Sequence, residues 1–231
     1  MNAQRSSDSV PVSSWRSARL FVTDEFAAPP VILRVNDSVI GTLGNFSAST
    51  GKAKSKKTFN VCAIVAAAMT GGTVLNYSAS LPPERRRVLY VDTEQSRFHC
   101  KRVLCRILRL AGLPTDAHPP LLEFLCLRGY ATKERLRKIE EAIYDLDDLG
   151  LVVIDGIRDL AHDINSPGEA TDLITKLMQW TDERRIHIHT VLHLNKGDDN
   201  TRGHLGTELN NKAETVLQIT KDDFDRDISS V

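Results

Sequence analysis

Gly51-Lys52-Ala53-Lys54-Ser55-Lys56-Lys57-Thr58 leaves a strand-like run and opens a helix, and its reading decides the fold. With Gly51 in the first position, Lys57 and Thr58 fall where the pattern G-x-x-x-x-G-K-[ST] has its lysine and hydroxyl, so the octet reads as a phosphate-binding loop. Lys56 stands where that pattern has its second glycine. Glycine lets backbone N–H groups close around a phosphate with no Cβ in the way, so the Lys56 side chain must point outward or the loop must widen. The other register, built on Gly51-Lys52, needs a glycine at 46 and a hydroxyl at 53, where the chain has Phe46 and Ala53. A plain basic loop before a helix would give the same octet in isolation, so the surrounding chain has to decide.

Working outward, residues 45–50 read as the strand feeding the loop, and residues 58–69 as a helix of small and apolar side chains stopped by Gly71-Gly72. Strand, loop and helix in that order aim the loop's N–H groups and the positive end of the helix dipole at one anion. Upstream, Pro29-Pro30, the apolar run 31–35, the turn pair Asn36-Asp37 and residues 38–41 read as a β-hairpin laid ahead of the main fold.

Downstream, strands alternate with helices. Residues 88–92 form an apolar run of the kind buried in parallel sheets, ending in Asp92-Thr93-Glu94. The next helix carries Cys100, Leu104, Ile107, Leu108 and Ala111 on one face, with Lys101, Arg102, Arg106 and Arg109 elsewhere as a solvated face. Residues 121–127 read as a strand and 132–149 as a helix stopped by Gly150. Residues 151–155 deliver Asp155 at a strand's carboxyl end, where open α/β sheets place their ligands. Ser166-Pro167-Gly168-Glu169 has the N-cap, N1 and N3 residues of a capped helix. Residues 186–194 form a strand on which His187, His189 and His193 alternate, 195–206 a polar loop, and 215–219 a last strand. The fold expected is α/β, mostly parallel, with helices on both faces. Its divisions are a flexible tail over 1–17, a hairpin cap over 18–43 and a single main α/β domain over 44–231.

The chain has 231 residues, with Lys+Arg and Asp+Glu both at 30, so no net field draws it to nucleic acid or membrane and such contacts must come from local patches. Cys62, Cys100, Cys105 and Cys126 show no C-x-x-C pairing and read as reduced thiols rather than a zinc site. The apolar run 61–69 is far short of the ~20 residues of a membrane span, and the polar amino terminus has no signal-peptide core. A soluble cytoplasmic protein is expected.

Cleaving a phosphoanhydride requires the phosphates held, Mg²⁺ fixed against them and a water aligned for in-line attack. Lys57 would hold phosphate within the cradle Gly51, Lys52, Ala53, Lys54, Ser55, Lys56, Lys57 and Thr58, while Thr58 and Asp155 would serve the metal. Glu94, just past its strand, would polarise the water, with Asp92 as competitor and helix capping as the structural alternative. His193 would sense the γ-phosphate. Arg202 or Lys196 would reach a neighbouring subunit's nucleotide, with Arg158 as the alternative.

These residues carry a resemblance to the RecA-like P-loop ATPases, and within them to the hexameric-helicase type of plasmid, phage and mobile-element replication proteins, the RepA-like group. The octet, Val91-Asp92-Thr93-Glu94, Val152-Val153-Ile154-Asp155, His193-Leu194-Asn195-Lys196-Gly197 and Thr201-Arg202-Gly203 carry it, over roughly residues 44–220. The resemblance implies ATP and Mg²⁺ as cofactors and a homo-oligomeric, hexameric ring. It also implies single-stranded DNA held through loops near 159–168 and 196–206, in replication or mobilisation of an element. The alternative is a nucleotide-binding regulatory or assembly module with little hydrolysis, prompted by Lys56.

Overall fold

The computed structural model describes residues 15–194, 203–222 and 229–231. Of the tail expected over 1–17, only the end is described, where Trp15–Ala18 forms a 3-10 turn. The chain then builds β1 (Val31–Val35), β2 (Ser38–Thr42), β3 (Phe46–Gly51), α1 (Lys57–Thr70), β4 (Thr73–Val74), β5 (Tyr77–Ala79) and β6 (Arg87–Asp92). Next come α2 (Arg97–Leu110), β7 (Leu122–Cys126), α3 (Thr132–Asp145), β8 (Leu149–Asp155), α4 (Pro167–Arg184) and β9 (His187–His193). The carboxyl-terminal part adds α5 (Gly203–Lys212), β10 (Thr215–Gln218), β11 (Thr220–Lys221) and β12 (Ser229–Ser230).

Six strands in the order β10-β3-β9-β8-β6-β7 form the central sheet, and every pairing in it is parallel. Parallel strands need crossovers, and helices supply them on both faces. One apolar cluster joins α1, α2 and the β1–β2 hairpin to one face, and a second joins α3, α4 and α5 to the other. Residues Val61 to Met69 of α1 are all buried, so the helix is apolar all round because it is enclosed all round. The fold class read from the alternating pattern is the one observed.

Two local expectations are corrected and two are extended. The expected amino-terminal hairpin forms, β1 pairing antiparallel with β2, and β5 adds to β1 and β4 to β5, giving an antiparallel sheet β2-β1-β5-β4 over α1. The α3 helix ends at Asp145 rather than running to 149, and Gly150 lies inside β8. It is a glycine there because a Cβ would sit 2.0 Å from the Arg85 carbonyl oxygen, not because a helix stops. Residues 203–206 of the expected polar loop are the first turn of α5, whose Leu205 and Leu209 are buried at i, i+4 spacing. At α4, Ser166 Oγ accepts from the Glu169 N–H at 3.4 Å, but the Glu169 carboxylate accepts from the His162 and Asp163 N–H groups instead of closing a capping box.

The histidines of β9 divide by burial. His187 Nδ1 faces the Thr42 carbonyl at 2.8 Å, and a carbonyl only accepts, so His187 carries its proton on Nδ1. Ser47 therefore donates to His187 Nε2 and accepts from His189 Nδ1, leaving His189 Nε2 to accept from Ser49. This buried chain holds both rings neutral, and burial lowers their pKa values to about 4 and about 3. His187 and His189 are structural groups of the core.

Candidate functional site

The carboxyl edge of the central sheet gathers the sequence-expected groups. Gly51, ending β3, pairs in register with His193, ending β9, and Asp92 on β6 pairs with Asp155 on β8. Gly51 takes φ +157, and a Cβ there would lie 2.4 Å from the Ile219 carbonyl oxygen and 2.6 Å from Ser55 Oγ, so the loop can turn only at a glycine. Lys56 takes φ 65 and ψ 25, the left-handed conformation that glycine adopts freely. Its half-buried side chain faces a cavity of about 530 Å³ lined also by Lys57, Thr58, Arg106 and His193. The mismatch in the motif is thus a lysine held in glycine's conformation. Asn60 steadies the turn by donating to the Lys56 carbonyl at 3.2 Å and accepting from the Tyr77 hydroxyl of β5 at 3.0 Å.

Lys57 is buried, and its Nζ donates to the Gly51 and Lys52 carbonyls, both at 2.8 Å. Burial lowers its pKa to about 8 against the opposing charges of Asp155 and Glu94. Thr58 Oγ1 donates to Asp155 Oδ2 at 3.1 Å, bridging loop and β8. Tyr90, fully buried on β6 and stacked on Phe124, donates to the same Oδ2 at 2.8 Å. Burial pushes the Asp155 carboxyl up to about 6, with the Tyr90 bond opposing and the Asp92 and Glu94 charges adding. The Thr58 hydroxyl and Asp155 carboxylate are hard oxygen donors at the mouth of a phosphate loop, a set that fits Mg²⁺ shared with bound phosphates. Among the described residues no cluster of three or more metal-ligating side chains would hold an ion unaided. Ser55 Oγ, also buried in the loop, has no hydrogen-bond partner among the described residues.

Glu94 is exposed, beside Thr58, Asp155 and His193 in an adjoining cavity of about 340 Å³. Its Oε2 lies 3.7 Å from His193 Nε2. That neighbour first, and then Lys57 and Arg158, holds the Glu94 carboxyl below its ordinary range. Asp92 is committed elsewhere: its Oδ1 accepts from the Glu94 and Gln95 N–H groups and its Oδ2 from Gln95 Nε2. The competitor for the base position is therefore the cap of the turn, and Glu94 is left facing the cavity. Gly156, at φ +104, lets the two turns meet, since a Cβ there would lie 2.2 Å from Thr93 Oγ1.

Of the basic residues expected as a solvated face, Lys101, Arg102 and Arg109 are exposed and Arg106 is half-buried. Arg102 and Arg106 line the cavity that holds Thr58, Asp155 and Glu94, because α2 descends beside α1. Nothing in helical periodicity separates an arginine facing water from one facing a ligand. Tyr90 was also unread, although a phenol inside a buried strand demands a partner. Lys196 and Arg202 lie outside the described residues, as does 196–202 of the expected DNA loop. Arg158 follows Asp155 on a 3-10 turn and its charge reaches Glu94.

Residues 16–199 match the AAA domain family, four-fifths of the chain. The chain belongs to that family. Membership makes this AAA domain a nucleotide-binding ATPase domain of the P-loop type, in accord with its parallel sheet and loop. No curated protein matches the chain. Among the described residues of this AAA domain no helix is long and apolar enough to cross a membrane.

Proposed function

We propose that this AAA domain binds ATP with Mg²⁺ at residues 51–58 and hydrolyses it in work on DNA, in the replication or mobilisation of a plasmid or mobile element. The observation that carries the reading is the Thr58–Asp155 contact, which joins the loop's hydroxyl to the aspartate of β8 in one cavity with Glu94, while Lys57 lines the adjoining cavity that Thr58 shares. Lys57 exchanges its two carbonyl partners for phosphate oxygens. Thr58 and Asp155 would hold the ion, which when bound would neutralise charge on the phosphates. Glu94 orients the attacking water, and His193 moves between Glu94 and the γ-phosphate as phosphate is gained and lost. A homo-oligomeric ring, hexameric in the group the chain resembles, brings Arg202 of one copy toward the nucleotide of the next. A cytoplasmic setting follows from the same reading.

A second reading, a nucleotide-binding assembly module with little hydrolysis, draws on the left-handed Lys56 that strains the loop. Calorimetry with ATP beside a phosphate-release assay, each with and without single-stranded DNA, separates the two. Phosphate release that DNA accelerates supports the first, and micromolar binding with no release under any condition supports the second.

A further inference from the structure

We propose that the outer face of α2 is a docking surface for single-stranded nucleic acid that adjoins the nucleotide cavity through Arg106. The inference rests on the reading that the chain acts on DNA, and gives that DNA a place.

Helix α2 carries five basic residues and no acidic one, on a chain whose formal charge is zero. Lys101, Arg102, Arg106 and Arg109 line an open groove of about 540 Å³. Several cations elsewhere are paired: Arg87 with Asp148 and Glu123, Arg135 with Asp159, Lys176 with Glu140. Among the described residues none of the four groove cations forms an ion pair with a carboxylate. Residues 101 to 109 span about 12 Å of helix axis, enough for successive phosphates of one strand. Unneutralised cations along one side of a helix complement a phosphate backbone and release its counterions on contact.

Phe98, 69% exposed at the head of the same groove, supplies the second element. An aromatic ring beside a cationic track offers a stacking platform to unpaired bases, which a duplex keeps covered. The loop 159–168, by contrast, contains Asp159 and Asp163 and no lysine or arginine, and suits phosphate poorly. Arg106 belongs to both the groove and the cavity with Thr58 and Asp155, so a strand lying on α2 reaches a group that faces the nucleotide.

The test is fluorescence anisotropy of a labelled oligothymidylate across a salt series, with wild type, Lys101→Gln/Arg109→Gln and Phe98→Ala. Retained ATP affinity by calorimetry shows that the variants fold. The double variant is expected to bind roughly tenfold or more weakly at 0.1 M salt, with its salt slope reduced by about 1.4, two contacts at about 0.7 each on a single strand. Phe98→Ala is expected to lose at least about fivefold in affinity with the slope unchanged. Wild-type binding that neither variant alters overturns the α2 assignment while leaving the DNA reading standing. No binding by wild type overturns both. Unchanged DNA affinity with loss of the oligomer on size exclusion would make α2 an interface between copies, and a duplex that competes as well as the single strand would remove the stacking role.

Discussion

Nε2 of His193 lies 3.7 Å from Oε2 of Glu94, so the ends of β9 and β6 face each other across the end of β8 that carries Asp155. Both groups border the cavity of Thr58, and in the proposed reading they meet the terminal phosphate and the water behind it. Glu94→Gln keeps the shape and removes the base. Its expected outcome is ATP affinity within a fewfold of wild type and turnover reduced by about 10²-fold or more. Asp92→Asn should act on the fold instead, costing about 1–3 kcal/mol as the turn cap weakens. Thermal unfolding and turnover measured on both variants check the division, which fails if Asp92→Asn loses turnover at full stability.

Lys56 occupies the left-handed region at φ 65, at a cost of roughly 1 kcal/mol that glycine avoids. Lys56→Gly should therefore raise Tm by no more than about 2 °C and leave ATP binding equal or tighter. The gain is partly offset by the freer unfolded chain. A fall in Tm by differential scanning fluorimetry would mean that the side chain contributes more than the backbone loses.

Tyr90 holds Asp155 by one oxygen, leaving Oδ1 for the ion or its water. Tyr90→Phe retains the ring that stacks on Phe124 and deletes only the hydroxyl. The Mg²⁺ concentration needed for half-maximal nucleotide binding should rise about tenfold, the usual effect of removing a group that orients a metal ligand, with metal-free nucleotide binding unchanged. Identical Mg²⁺ titrations would reduce the hydroxyl to a packing role.

His187 and His189 are neutral in the fold, with pKa values lowered to about 4 and about 3 from 6.5. A depressed folded pKa means that the unfolded chain takes up the proton first, so stability is full above about 6.5 and falls as pH drops toward the folded values. At pH 5.5 the pair costs about 3 kcal/mol relative to pH 7.5. Asp155, raised to about 6, returns somewhat under 1 kcal/mol because the folded state binds its proton first, for a net loss of about 2 kcal/mol. Urea unfolding at the two pH values measures it, and equal stability would contradict the neutral buried pair.

Much of this was legible in the residues. Apolar runs ending in Glu94, Asp155 and His193 gave strands whose parallel pairing brings their ends together, and the octet fixed where a phosphate loop falls. The unread parts depend on contacts distant in sequence. Gly150 mimics a helix stop because its reason is the Arg85 carbonyl, 65 residues earlier by number. The strands β4 and β5 are too short to show periodicity and exist only because β1 offers an edge. Arg102 and Arg106 share a polar face with residues that meet only water, and only the packing of α2 beside α1 separates them.

The central claim is that nucleotide is held and cleaved at Lys57. Phosphate release from Mg²⁺·ATP by wild type, Lys57→Ala and Lys52→Ala, with binding followed by calorimetry, tests it most directly. The account predicts turnover by wild type, loss of binding and turnover in Lys57→Ala, and retention of most of both in Lys52→Ala. Equal activity in wild type and Lys57→Ala, or loss confined to Lys52→Ala, would contradict it.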